Sequence, residues 1–190
     1  MGLDMYLERC NRKAWGYKDL NLDDVKENNP ALYEEIKQFI TVRGKYFQWE
    51  SIFKEVGCWR KANAIHKWFV DNVQYGNDDC GTYEVSKEQL EELLDICTQI
   101  KDATKMEKGW VHNGDRVANG MLCPNYEEGE YIVNAEVAEE LLPTQDGFFF
   151  GSTEYDQWYM EDIKDTIEIL TKVLKETDFE TQMIAYSSSW

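Results

Sequence analysis

Ser86 begins the segment that most limits what this chain can become. Ser86 and Gln89 have the spacing of a capping box, in which two side chains satisfy the free amides of a helix start. Behind them Leu90, Leu93, Leu94, Cys97 and Ile100 recur at helical spacing, which puts an apolar stripe on one side only. A second one-sided helix is expected beyond Asp156, where Tyr159, Ile163, Ile167, Leu170 and Leu174 repeat the pattern, with Thr153 and Asp156 as a capping pair. Two such stripes need another layer to cover them. Period-two segments supply it: Leu3, Met5 and Leu7 alternate with Asp4, Tyr6 and Glu8, and residues 82–85 and 182–186 also read as strands. Strands and helices interleave, so the expected class is α+β or mixed α/β. The expected architecture is a single compact domain over residues 1–190, with a small mixed sheet packed by about four helices.

The remaining segments fill in this outline. The pattern from Leu22 to Ile40 is helical, at least beyond Pro30, which behind Asn28 and Asn29 suits a helix start, with Leu32, Ile36 and Phe39 or Ile40 on one side. Residues 46–56 suit either a strand or a short helix, and residues 56–59 a buried strand that feeds the next helix. A helix over 61–74 would carry Ala62, Ile65, Phe69 and Val73 on one face and Arg60, Asn63, Lys67 and Asp71 on the other, with His66 between them. Residues 107–130 hold Gly109, Gly114, Gly120, Gly129 and Pro124, the composition of an irregular insertion, a flap or a β-hairpin. Asn134 could cap a short helix that Pro143 stops, Phe148–Phe150 suits a buried strand, and residues 187–189 read as a loose tail.

The charge balance narrows the function classes. With 20 basic and 37 acidic side chains, the net charge of −17 disfavours direct binding to bulk nucleic acid or to an anionic membrane. It still permits a small anionic ligand in a local basic pocket, or an acidic surface that imitates nucleic acid. No apolar run approaches the ~20 residues that span a bilayer, and residues 1–7 lack the pattern of a signal peptide. A cytoplasmic protein is therefore expected. Five cysteines without C-x-x-C spacing argue against a disulfide framework and a zinc site, and neither metal nor cofactor is expected.

Two runs mix large aromatics with hydrogen-bonding side chains, as ligand pockets do. In the first, Arg60, Lys61 and Lys67 form a basic cluster, and Trp59, Arg60, Asn63, His66 and Lys67 are the candidate ligand residues, with a ring for stacking and a histidine that could act as a general base. In the second, Gly151, Ser152, Thr153, Tyr155 and Asp156 combine a close-approach glycine, two hydroxyls, another ring and a second candidate base. Structural duties compete at each position: ion pairs for Arg60 and Lys67, a core-edge place for His66, and helix capping for Thr153. Neither run matches a phosphate loop, a dinucleotide fingerprint, a nucleophile elbow or a zinc helix. Asn77-Asp78-Asp79 has the composition of a turn rather than of a cation loop.

Three blocks carry a resemblance: Met-Gly-Leu-Asp-Met-Tyr-Leu at residues 1–7, Trp-Arg-Lys-Ala-Asn-Ala-Ile-His-Lys-Trp-Phe-Val at 59–70, and Leu-Leu-Pro-Thr with Gly-Phe-Phe-Phe-Gly-Ser-Thr-Glu-Tyr-Asp at 141–156. Together they resemble a family of small proteins of unassigned activity encoded by tailed bacteriophages and prophages. The resemblance implies a phage-encoded protein of the host cytoplasm, an accessory or counter-defence factor, and carries over no catalytic residue. Sequestration of a small anionic, nucleotide-like ligand is the leading expectation. The alternatives are an enzyme acting on a nucleotide or related metabolite, and an acidic inhibitor that mimics nucleic acid on a host protein. A homo-oligomer is compatible with each.

Overall fold

The computed structural model describes residues 2–44, 48–118, 120–147 and 150–190. Along the chain run β1 (Asp4–Asn11), α1 (Leu22–Asn28), α2 (Pro30–Ile36), β2 (Thr41–Arg43), β3 (Trp49–Ser51), β4 (Lys54–Arg60) and α3 (Asn63–Asn72). They are followed by β5 (Tyr83–Val85), α4 (Lys87–Ala103), β6 (Met106–Ala118), β7 (Met121–Ile132), α5 (Glu136–Leu141), α6 (Gln157–Glu176) and β8 (Gln182–Ser189). The fold is α+β. Its central sheet has the order β4-β1-β8-β5, and every pairing in it is antiparallel.

The alternation at the N-terminus decides which side of that sheet becomes the main core. Leu3, Met5 and Leu7 are fully buried, and each such burial contributes roughly 2 kcal/mol. They pack with Trp59 of β4, Ile184 and Tyr186 of β8, and the apolar stripes of α3, α4 and α6. The capping box at Ser86 forms in both directions, and α4 lies against α6 as its stripe requires. On the opposite side Cys10, Met183 and Ala185 meet a smaller core built from Leu22, Val25, Tyr33, Ile36, Ile52 and Phe53. Arg43 of β2 joins this layer to the sheet by pairing with Glu8 and, at 3.3 Å, with Glu55.

Several local expectations are corrected. The helical pattern expected over residues 22–40 divides at Asn29 into α1 and α2; α2 ends at Ile36 and tightens into a 3-10 turn over Lys37–Phe39, with Asn29 capping it and Pro30 in its first turn. Of the alternatives for residues 107–130, the β-hairpin holds and the irregular insertion does not: β6 pairs with β7 antiparallel, with one irregularity between His112 and Asp115. Asn134 does not cap α5; it bridges Lys105 N and Ala103 O instead, at 2.7 and 2.5 Å. Residues 187–189 are not a loose tail, because Ser187, Ser188 and Ser189 pair with Tyr6, Met5 and Asp4 and so complete β8. Of the expected Phe148–Phe150 strand, Phe148 and Phe149 lie outside the described residues, while Phe150 is buried and outside any strand. Tyr46 also lies outside them; Trp49–Ser51 and Lys54–Arg60 are strands.

Candidate functional site

The turn from β4 into α3 is where the two sequence runs meet. Lys61 adopts a left-handed backbone (φ 63°), and its amide donates to Leu3 O at 2.8 Å, so α3 starts only at Asn63. Asn63 is 4% exposed and acts as a clasp. Its Nδ2 donates to Phe150 O and Ser152 O at 3.2 and 2.8 Å, and its Oδ1 accepts from Gln145 N at 2.9 Å. Gly151 makes this approach possible. Its φ is +99°, and a Cβ there would lie 3.1 Å from the Lys61 Cβ and carbonyl oxygen. The loop that follows is tied to itself: Thr144 N donates to Tyr155 Oη, and Thr144 Oγ1 donates to Thr153 O.

Asp156 starts α6. Its Oδ1 accepts from Trp158 N at 2.9 Å and Tyr159 N at 3.2 Å, so Asp156 is the cap and Thr153 is not. The β6–β7 ribbon is pinned at the same place. Ile132 N donates to Tyr155 O, Glu130 N donates to Gln157 Oε1, and Tyr131 bridges Asp156. Gly129 permits this contact, since a Cβ there would meet Val111 Cγ2 at 2.6 Å and Gln157 Oε1 at 2.8 Å.

These connections enclose a cleft of two chambers. The larger, about 650 Å3, is lined by Arg60, Lys61, Asn63, Ser152 and Asp162 among others. The smaller, about 400 Å3, is aromatic, with Trp110, Tyr126, Tyr131 and Tyr155 in its walls. His112, Glu154 and Asp156 line both. Both volumes fall in the range of small-molecule sites. The His112 and Tyr126 rings lie 5.5 Å apart.

The larger chamber is lined by charges of both signs. Arg60 and Lys61 line it together with four carboxylates, Glu154, Asp156, Glu161 and Asp162. Arg60 pairs with Asp4 at 3.7 Å, and this ion pair is largely exposed. Burial pushes the Asp162 carboxyl up to about 7, reinforced by Asp165, Glu161 and Asp156. Burial also raises Asp156, against the lowering effect of the Tyr159 and Trp158 amides. Asp156 is 2% exposed, and its Oδ2 has no hydrogen-bond partner.

The structure thus brings together Arg60, Asn63, Ser152, Tyr155 and Asp156, and leaves other candidates elsewhere. Trp59 is buried in the main core, its indole donating to Thr166 Oγ1 at 2.9 Å. Lys67 pairs with Asp71 one turn along α3 at 2.6 Å. His66 is fully buried, with Nδ1 2.7 Å from Tyr186 Oη and Nε2 3.1 Å from Asp78 Oδ2. Thr153 is exposed and lines neither chamber. Sequence reasoning placed Lys61 in the basic cluster but not among the ligand-binding residues, and it missed Trp110 and Asp162. Trp110 and His112 stand two apart, a strand period that the glycines around them obscured. Asp162 carried no local signal.

Among the described residues no group of three or more His, Cys, Asp or Glu side chains is arranged to hold a metal ion, and no helix is long and apolar enough to cross a membrane. Comparison with known proteins finds no matching family model, no matching curated protein and no matching solved structure.

Proposed function

We propose that the protein binds a small nucleotide-like ligand in the two-chambered cleft and holds it without turnover. The observation that carries this reading is the contiguity of a cationic corner, Arg60 with Lys61, and an aromatic chamber through one shared wall. A planar ring suits the space among Trp110, Tyr126 and Tyr155, because stacking on aromatic faces tolerates many heterocycles. An anionic group suits Arg60 and Lys61, a planar fork beside a mobile point charge. The four carboxylates disfavour a polyanion, so the ligand is dipolar: one compact anionic group and a donor-bearing ring. Such sequestration fits the accessory or counter-defence role in the host cytoplasm that the phage resemblance implies.

Titration calorimetry with the nucleoside monophosphates tests this directly. Saturable binding is expected, weakened roughly tenfold or more in an Arg60→Ala, Lys61→Ala double variant and roughly tenfold in Trp110→Ala. Undiminished affinity in both variants would sink the proposal.

Asp162 favours a second reading, an enzyme acting on the same ligand class. A carboxyl that titrates at about 7 in a cleft suits general acid–base chemistry. Product formation from the monophosphate panel, abolished in Asp162→Asn while binding persists, would replace sequestration by turnover.

A further inference from the structure

Two pairs of like charges stand opposite each other across β1 and β4. Glu8 faces Glu55 and Arg9 faces Lys54 in the antiparallel register. Like charges directly opposite are destabilising unless something neutralises them. The protein resolves the first pair itself, because Arg43 reaches in from β2 and pairs with both Glu8 and Glu55. The second pair points to the other face of the sheet, since successive strand residues alternate. There, among the described residues, no carboxylate lies within ion-pair distance of Arg9 or Lys54. Arg9 Nη1 donates to Glu176 O at 2.9 Å, which places the guanidinium at the end of α6.

The same helix completes a cleft on this face. Gly57 lets α6 lie directly on β4, because a Cβ there would collide with Ile169 Cγ2. Lys172 and Glu176 follow Ile169 at helical spacing and share its side of α6. The cleft, about 370 Å3, is lined by Arg9, Lys54, Lys172 and Glu176 together with residues 55–58 of β4. Arg43 holds the Glu55 carboxylate on the opposite face, so three cations meet the one carboxylate of Glu176. A local surplus of positive charge thus survives in a chain of net charge −17. β4 is also an edge of the central sheet, and a sheet edge offers free backbone amides to an anion.

We infer that this cleft is a second anion site, which takes a dianionic phosphate group between Arg9, Lys54 and Lys172. The bound phosphate does for Arg9 and Lys54 what Arg43 does for Glu8 and Glu55. Arg9 supplies the N–H groups of its fork that Glu176 leaves over, and the lysines supply two mobile point charges. The site lies along the last two turns of α6, whereas Asp156, Glu161 and Asp162 near the start of that helix line the larger chamber. It therefore stands independently of the nucleotide-like reading.

Amide NMR of the full chain at pH 8 and low salt tests this, with inorganic phosphate and glycerol 3-phosphate as probes. Saturable shifts of the Gly57 and Cys58 amides are expected in wild type and equally in the Arg60→Ala, Lys61→Ala variant. In a Lys54→Ala, Lys172→Ala variant the affinity read at these amides should fall roughly tenfold or more. Both lysines are exposed, so that variant should fold. Lys54→Glu sets a carboxylate opposite Arg9; it should abolish the phosphate response and melt above wild type in phosphate-free buffer. Tighter binding of the ester would identify a phosphomonoester as the ligand, and equal binding the free ion; either supports the site. No saturable shift at β4 in wild type, or shifts that persist unchanged in the double lysine variant, would overturn it. So would Lys54→Glu melting below wild type, because the opposed cations would then need no counter-ion.

Discussion

His66 and Asp156 are both buried polar side chains in the segments that the sequence singled out, yet their surroundings are opposite. His66 has a partner on each ring nitrogen: Tyr186 Oη on one side and Asp78 Oδ2 on the other. Trp190 extends the chain by donating to Asp78 Oδ1 at 2.9 Å. The Tyr186 ring stacks on Phe69 at 3.9 Å, so this network is anchored in the main core. Asp156 is satisfied on one oxygen only, and the other belongs to a residue that walls two cavities. The contrast teaches that burial alone does not mark function. A buried polar group with every valence met ties the fold together, while Asp156 carries an unmet valence inside the wall of the cleft.

The sharpest way to break this comparison is His66→Leu. It removes both hydrogen bonds and leaves Tyr186 Oη and Asp78 without their ring partner, so urea unfolding at pH 7 should register a loss of about 3 kcal/mol. Ligand affinity, corrected for any unfolded fraction, should stay within about twofold, since His66 lines neither chamber. A folded variant of normal stability with lost binding would place His66 at the ligand site.

Asp162 gives an intermediate effect with a defined pH dependence. Its folded carboxyl titrates at about 7, above the ordinary 3.8, so folding favours the protonated form. That contribution is complete below pH of about 4 and is lost as pH rises through about 7. Asp162→Asn removes the loss, and thermal melts should find the variant more stable than wild type by about 1–2 kcal/mol at pH 8, allowing for partial solvent screening. At pH 4 the two should melt alike. A constant difference across that range would mean that Asp162 does not titrate there.

Lys67→Ala sharpens the comparison from the other end. The Lys67–Asp71 pair is solvent-accessible and lies one helical turn apart, so its removal should cost no more than about 0.5 kcal/mol. Nucleotide affinity should be unchanged. A large loss of affinity in calorimetry would return Lys67 to the ligand site.

Much of the secondary structure was legible because local rules write it into adjacent residues. The Ser86–Gln89 box, the stripe of α4, the alternation of β1 and the proline start of α2 each need only a short window. The places where local reading failed share a cause. Thr153 and Asp156 both have cap chemistry, and only the path of the chain gave the cap to Asp156. Asn134 also has cap chemistry, but it bridges Lys105 and Ala103. Residues 187–189 look like a tail in isolation and become strand only because β1 offers them partners.

The candidate site divides in the same way. By itself the sequence determined that residues 59–67 and 147–156 mix rings with polar groups, and that Gly151 permits a close approach. It also determined a strongly acidic chain, in which a pair of neighbouring cations stands out. Tertiary structure alone decided that Lys61 rather than Lys67 stands beside Arg60 in the cleft, because a left-handed turn at Lys61 delays the start of α3. It alone carried Trp110 from the β6–β7 ribbon to a chamber walled also by Tyr155, and left one oxygen of Asp156 without a partner. Helix and strand periods act over a few residues, whereas a cavity and an unmet hydrogen bond depend on which distant segments the packed core brings face to face.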